Sequence, residues 1–255
     1  MSLPKRVTIE LTNHCNRKCK ECPRHKINME IGFISENVFS KIVAELLPST
    51  IIVPFFRGES TLHPKFPDFM QELGTFKEVQ LATNGDYLTH ANQKAILENC
   101  TFFSLSLHEE SLPTQKQTEF LFKLRKAGIT TQVSTVGKPK NLDALYGLAD
   151  RIRIYEPHSI NHIADMMHAQ TVTSCCHKPF SDMVVYWNGK VGLCNHDWNN
   201  SFPLGDLNHK SIAEVWNGRA YQTVREFHKK GQRRQVDVCR HCSFENGKIY
   251  GELIQ

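Results

Sequence analysis

No apolar run in this 255-residue chain approaches the roughly twenty residues a bilayer-spanning helix needs, so no membrane partner is expected. The opening residues, Met1-Ser2-Leu3-Pro4-Lys5-Arg6, hold no apolar h-region, which argues against a secretory leader. Blocks of one charge are also scarce. Apart from Lys229-Lys230 and Arg233-Arg234, expected to be solvated, the basic residues are scattered and the net charge is +5. A nucleic-acid partner is not indicated, whereas an anionic substrate or an acidic redox partner would suit the mild positive bias. There is no internal repeat, low-complexity tract or flexible linker, so a second module should pack directly on the first. Cysteine, by contrast, is plentiful at nine residues. Without a leader, that number points to metal or redox chemistry in a reducing, cytoplasmic setting rather than to disulfides.

At 40% hydrophobic and 22% charged residues, the chain can bury a sizeable core. The hydrophobic pattern alternates between period two and helical spacing. Strands are expected over residues 6–12, 51–56, 79–82, 101–107, 129–136 and 151–155. Helices are expected over 36–47, 66–73, 91–98, 114–127 and 142–148, with Gly128 as a C-cap. Six strands alternating with helices imply right-handed βαβ units and a parallel sheet. A doubly wound sheet would bury both faces, yet strands one, four and six each carry a polar face. That favours an α/β fold of another kind, an open (β/α)6 partial TIM barrel with a polar lumen. Its chemistry should collect at the C-terminal strand ends.

The pattern changes after about residue 160, which divides the chain into residues 1–160 and 161–255. Residues 181–193 read as a hairpin turning at Asn188-Gly189. Ser211-Ile212-Ala213-Glu214 is a capping box, opening a helix to about residue 229. Trp187, Trp198 and Trp216 should pack this second module, and Cys100 should be a small core residue.

Cys15, Cys19 and Cys22 follow strand one with C-x3-C-x2-C spacing. Three thiolates cannot supply four ligands, so a [4Fe–4S] cubane held there would keep one open iron, where a small molecule can bind. A partial zinc site is the plainer reading. A second set, Cys176, Cys194, Cys239 and Cys242, has C-x17-C-x44-C-x2-C spacing. It suits a zinc ribbon or a fully ligated [4Fe–4S] cluster about equally.

The stretch Cys15-Asn16-Arg17-Lys18-Cys19-Lys20-Glu21-Cys22, led by Glu10-Leu11-Thr12-Asn13, resembles the signature of radical S-adenosylmethionine enzymes. Arg57-Gly58-Glu59 resembles that family's Gly-Glu motif, in which the carboxylate accepts hydrogen bonds from the methionine ammonium. Thr83-Asn84-Gly85 matches the turn after strand three, and Ser104 and Ser106 stand where such enzymes place polar contacts to the cofactor. The resemblance implies S-adenosylmethionine bound by Gly58, Glu59, Asn84, Ser104 and Ser106, and a [4Fe–4S] cluster on Cys15, Cys19 and Cys22. It implies a 5′-deoxyadenosyl radical that takes a hydrogen atom from the substrate, and a flavodoxin- or ferredoxin-like electron donor.

Cys176-His177-Lys178-Pro179-Phe180, the hairpin, Ile212 to Gly218 and Cys239-x2-Cys242 resemble the SPASM/twitch extension of the same enzymes. That implies a second [4Fe–4S] cluster on Cys176, Cys194, Cys239 and Cys242. The size of the chain and its cysteine spacing resemble the aminocyclitol dehydrogenases of this group. The implied reaction is oxidation of an alcohol to a ketone on a small polar molecule, the second cluster accepting the second electron. A peptide maturase is an alternative, although five residues before strand one leave no room for the usual peptide-binding domain. A radical epimerase with Cys175 as hydrogen donor is another, and a zinc-bound interaction module a third. Dehydrogenation also needs a base or a positioning group; His108, His158, His162 and His196 are candidates, with Arg57 and Tyr155 to orient the substrate.

Overall fold

The computed structural model describes residues 2–20, 22–107, 111–155, 174–240, 242, 244, 246 and 251–254. His108, His158 and His162 lie outside the described residues, as does the expected boundary at residues 160–161.

Six parallel strands form the framework: β1 Arg6–Ile9, β2 Ile51–Val53, β3 Glu78–Thr83, β4 Phe102–Ser106, β5 Thr130–Val136 and β6 Arg151–Tyr155. Helices α1 Glu36–Glu45, α2 Phe66–Leu73, α3 His90–Asn99 and α4 Gln115–Lys126 connect the first five strands. The hydroxyls of Ser35, Thr89 and Thr114 cap α1, α3 and α4, each accepting the free N–H three residues on. The β5–β6 connection is shorter than expected: residues 142–145 form one 3-10 turn rather than a helix to 148.

Strand alternation separates the two faces. Val7, Ile9, Val79, Leu81, Phe103, Leu105, Val133, Ile152 and Ile154 join the apolar core. It includes Phe39 stacked on Phe69 at 3.8 Å and Phe120 edge-on to Phe103. The opposite face is polar and internally bonded. Ser104 Oγ lies 2.7 Å from Ser134 Oγ, Gln132 Nε2 donates to both hydroxyls, and Arg151 Nε donates to Gln132 Oε1 at 2.8 Å. This is the polar lumen expected from the alternating strands.

The C-terminal segment does more than pack against this framework. After the one-turn helix α5 Lys178–Ser181, strand β7 Asp182–Val185 pairs parallel with β1, Arg6 opposite Asp182 and Ile9 opposite Val185. Strands β8 Lys190–Gly192 and β9 Gly205–Asp206 continue antiparallel beyond it. Gly189 makes the hairpin turn at φ +80°, a conformation that favours glycine. Strand β10 Glu252–Ile254 returns to pair antiparallel with β6 at the other edge. Among the described residues one ten-stranded sheet results, in the order β10-β6-β5-β4-β3-β2-β1-β7-β8-β9, and it stays open.

The helix expected to run to residue 229 is two helices, α6 Ile212–Trp216 and α7 Arg219–Lys229. Gly218 between them is extended, with ψ 164°. A Cβ there would sit 2.8 Å from the Glu214 carbonyl oxygen, so the chain turns at glycine. The capping box Ser211–Glu214 is formed, and the Arg225 guanidinium lies 4.2 Å from the Trp216 ring centroid. A last one-turn helix, α8 Asp237–Arg240, follows.

One buried ion pair joins the framework to the C-terminal segment. Arg57, beyond β2, donates Nε to Glu10 Oε1 at 2.7 Å and Nη2 to Glu10 Oε2 at 2.6 Å. Its Nη1 donates to the Trp198 carbonyl at 2.7 Å, and its plane lies 4.4 Å from the Tyr186 ring centroid. Glu10 Oε2 also accepts the Trp187 N–H at 3.2 Å. Removing one partner strands the other charge in the interior. Arg57→Met is expected to cost about 3–5 kcal/mol of stability. The Glu10→Gln/Arg57→Met double variant is expected to lose clearly less than the sum of its single variants, read by urea denaturation of proteins matched in iron content.

Candidate functional site

The loop after β1 holds Cys15, Cys19 and Cys22, all partly exposed. Its shape is fixed from three sides. The Cys22 N–H donates to the Cys19 carbonyl at 3.0 Å, and the Arg17 N–H points at Cys15 Sγ at 3.4 Å. Gly58 lies against the start of the loop, and a Cβ there would press on the carbonyl oxygens of Thr12 and His14. The Glu59 N–H donates to the same His14 carbonyl at 2.8 Å. On the third side, Arg17 grips Asp86 with Nε at 2.7 Å and Nη2 at 2.5 Å, and Asn16 Nδ2 donates to Asp86 Oδ2 at 2.6 Å. The loop is thereby tied to the turn after β3. The Arg17 guanidinium holds the Asp86 carboxyl below the usual carboxylate range.

A cavity of about 210 Å³ opens beside these cysteines. Gly58, Glu59, Asn84 and Ser106 line it together with all three thiols, Phe56 and Trp198. Ser104 is not among its lining residues; its hydroxyl is buried against Ser134 and Gln132. Glu59 is 3% exposed. Its Oε1 accepts from the Thr61 N–H, the Thr61 hydroxyl and the Thr83 hydroxyl, and its Oε2 from the Asn84 N–H at 2.8 Å. Burial nevertheless pushes its carboxyl pKa up, against the pull of those donors. Only one oxygen keeps acceptor capacity, so Glu59 organises the Thr83-Asn84 turn as well as facing the cavity. Burial also raises the Cys15 and Cys22 thiols. Thiolates there need a positive group between them, which is what a bound metal cluster provides.

Several residues singled out in the sequence stand elsewhere. Arg57 reaches the cavity, but its guanidinium is committed to Glu10 and the Trp198 carbonyl, so it does not present a free fork to a substrate. His196 lines the second cysteine cavity and not the first. Cys175 is exposed beside Cys176, its carbonyl accepting from Asn246 Nδ2, and lines neither cavity. Tyr155 lies at the end of β6, its ring 4.9 Å from the Arg153 guanidinium.

The four remaining cysteines of the C-terminal segment do converge. Cys176, Cys194, Cys239 and Cys242 are all buried and line one cavity. Among the described residues no carboxylate lines it, while Lys178, Arg233, His196 and His228 do. Four thiols with cations close by fit a thiolate-ligated, anionic group. Among the described residues, no group of three His, Cys, Asp or Glu side chains is drawn together as a single ion would hold them. Burial pushes the Cys194 thiol up to about 12 and raises Cys176 and Cys239. Arg233, expected to be solvated, is 1% exposed, whereas Lys229, Lys230 and Arg234 are exposed. His228 and Arg233 were not singled out for this site. The only hint was that His228 falls on the apolar side of α7, in step with Tyr221 and Val224.

If both cysteine sets load iron and the Asp86 grip sets the loop, Asp86→Asn should lower the iron on Cys15, Cys19 and Cys22 and leave iron on the other four cysteines unchanged. Iron counts with and without the first three cysteines replaced by alanine check this.

The SPASM family, described as an iron–sulfur cluster-binding domain, matches residues 175–243. An S-adenosyl-L-methionine-dependent 2-deoxy-scyllo-inosamine dehydrogenase of Niallia circulans is 21% identical over 244 residues, 93% of this chain and 92% of that protein. The crystal structure of BtrN in complex with AdoMet and 2-DOIA superposes with a TM-score of 0.70 at 19% identity, covering 98% of this chain and 99% of that one. SuiB of Streptococcus suis, bound to precursor peptide SuiA, gives a TM-score of 0.68 at 12% identity over 89% of this chain and 68% of its own. No helix among the described residues is long and apolar enough to cross a membrane. Residues 175–243 therefore match the SPASM iron–sulfur cluster-binding family, and the chain shares its fold with BtrN and SuiB and matches an S-adenosyl-L-methionine-dependent dehydrogenase along nearly its whole length.

Proposed function

We propose that this chain dehydrogenates a hydroxyl on a small polar molecule of aminocyclitol or sugar type, using S-adenosylmethionine and two [4Fe–4S] clusters. The observation that carries the reading is the cavity at the strand ends: three thiols, one short of a closed cubane, share it with Glu59, Asn84 and Ser106. Cys15, Cys19 and Cys22 hold the first cluster. Bound there, the cluster and S-adenosylmethionine would supply the radical chemistry that takes a hydrogen atom from the substrate. Asn84 and Ser106 offer polar groups to the cofactor, and Gly58 allows close approach. Glu59 fixes the Asn84 turn through that residue's backbone N–H, and Oε2 would keep acceptor capacity for the methionine ammonium. Phe55, Phe56 and Trp198 wall the cavity with aromatic surface that limits water. Residues 1–160 form the barrel unit in this reading and residues 161–255 the cluster module.

The second cluster, on Cys176, Cys194, Cys239 and Cys242, supplies an acceptor for one electron. Removing a hydrogen atom and then an electron and a hydroxyl proton converts an alcohol to a ketone, which balances a two-electron oxidation. That proton needs a base, and His108, two residues beyond the end of β4 in the sequence, is the proposed acceptor. A flavodoxin- or ferredoxin-like protein is the electron donor to the first cluster.

Anaerobically reconstituted protein, given dithionite, S-adenosylmethionine and carbon-deuterated aminocyclitols or sugars, should place deuterium in 5′-deoxyadenosine and form one ketone per cofactor consumed. Iron-replete protein that forms no 5′-deoxyadenosine with any of them sinks the radical assignment. Solvent deuterium at an inverted carbon with no ketone replaces dehydrogenation with epimerisation.

A further inference from the structure

The four-cysteine site has a polar layer behind its thiols that ligation alone does not require. Arg233 lies in the 3-10 turn just before α8, 1% exposed. Its Nη1 donates to the carbonyls of Ser174 and Phe244 at 3.1 and 3.2 Å, and its Nη2 to the Cys242 carbonyl at 2.8 Å. Its Nε is buried without an acceptor among the described residues. Each acceptor in this set is a neutral backbone carbonyl at Cys242 or two residues from a cysteine. A desolvated guanidinium with no carboxylate among these contacts is costly unless negative charge stands nearby, and the cavity it lines presents four thiols. Beside it, His228 Nδ1 accepts the Cys176 N–H at 3.2 Å. A proton on Nδ1 would set two donors against each other, so the ring carries its hydrogen on Nε2. That nitrogen lies 3.6 Å from Cys239 Sγ, within range of an N–H···S hydrogen bond.

We propose that Arg233 and His228 are positioning residues that raise the reduction potential of the group held by Cys176, Cys194, Cys239 and Cys242, fitting it to accept an electron. The proposal rests on the reading of that site as an iron–sulfur cluster. A positive charge and an N–H donor on a ligand sulfur both favour the more negative, reduced state, so both move the potential upward. A purely scaffolding role for the same residues would change iron content and stability without changing the potential of the clusters that form.

The test uses the full chain with Cys15, Cys19 and Cys22 replaced by alanine, so that the remaining cluster is observed alone by EPR-monitored redox titration. Arg233→Gln is expected to lower the equilibrium constant for one-electron reduction tenfold or more, 59 mV for such a couple, and Arg233→Lys to recover part of it. His228→Leu should lower it as well and remove an exchangeable-proton coupling from the cluster's pulsed-EPR spectrum, whereas His228→Gln, which keeps an N–H donor, should lose less. Any variant too unstable to load leaves the other three to decide. Iron-loaded variants with the unmodified potential overturn the proposal alone. A protein that binds zinc and no iron at these cysteines overturns both the proposal and the cluster reading beneath it.

Discussion

The pair Glu10–Arg57 is the constraint on which both halves of the molecule depend. Glu10 stands one residue beyond β1 and four before the first cysteine loop residue that turns outward, His14. Its carboxylate takes two guanidinium contacts from beyond β2 and an N–H from beyond β7. Three strand ends are thus set in register by one buried charge. Arg57 in turn carries the Trp198 carbonyl, and Trp198 walls the first cavity. Buried pairs of this kind add little net stability over a well-packed apolar alternative. Their contribution here is geometric, because the polar lumen offers an ion pair its hydrogen-bond partners and a hydrocarbon would leave the Trp187 N–H and Trp198 carbonyl without theirs.

Sheet continuity carries the same coupling through the backbone. β7 extends the barrel sheet by pairing parallel with β1, the strand that delivers the three-cysteine loop. Cys194 follows the hairpin that β7 begins, and Cys176 precedes it. The three-cysteine loop and two cysteines of the second set, Cys176 and Cys194, are therefore anchored to adjacent strands of one sheet. β10 closes the opposite edge on β6 and covers backbone groups that an open sheet would expose.

Much of this was legible because it is local. Alternation at residues 101–107 and 151–155 marked a polar lumen, which Ser104, Gln132 and Arg151 now fill. Ser211 and Glu214 marked a capping box, and Asn188-Gly189 a turn. The cysteine spacings marked two sites. What failed was long-range. Gly218 reads as one weak helical position until the Glu214 carbonyl is seen to exclude a side chain. Arg57 reads as a free cation until Glu10, 47 residues earlier, is found against it. Arg233 beside Arg234 looks like a solvated charge run, and only the carbonyls of Ser174 and Phe244, 59 and 11 residues away, reveal its burial. The β1–β7 pairing has no signature at all in either strand, since parallel partners need no turn between them.

The two cysteine sites differ in how they manage charge, and that difference has chemical weight. The first lies open to a cavity, with Arg17 at its edge neutralised by Asp86 and a buried Glu59 within the same wall. Burial raises the Cys15 and Cys22 thiols while the nearby Arg24 charge works against it, so the charge around this site is mixed. The second is closed, lined by Lys178 and Arg233 and, among the described residues, by no carboxylate, although the buried Asp197 stands near Cys194. The cations of its lining would favour an added electron on a cluster held there. A lining of that sign would suit an electron acceptor behind the hairpin in the proposed reaction. It is the arrangement an oxidation needs, in which one electron is injected to start the reaction and another must be withdrawn to finish it.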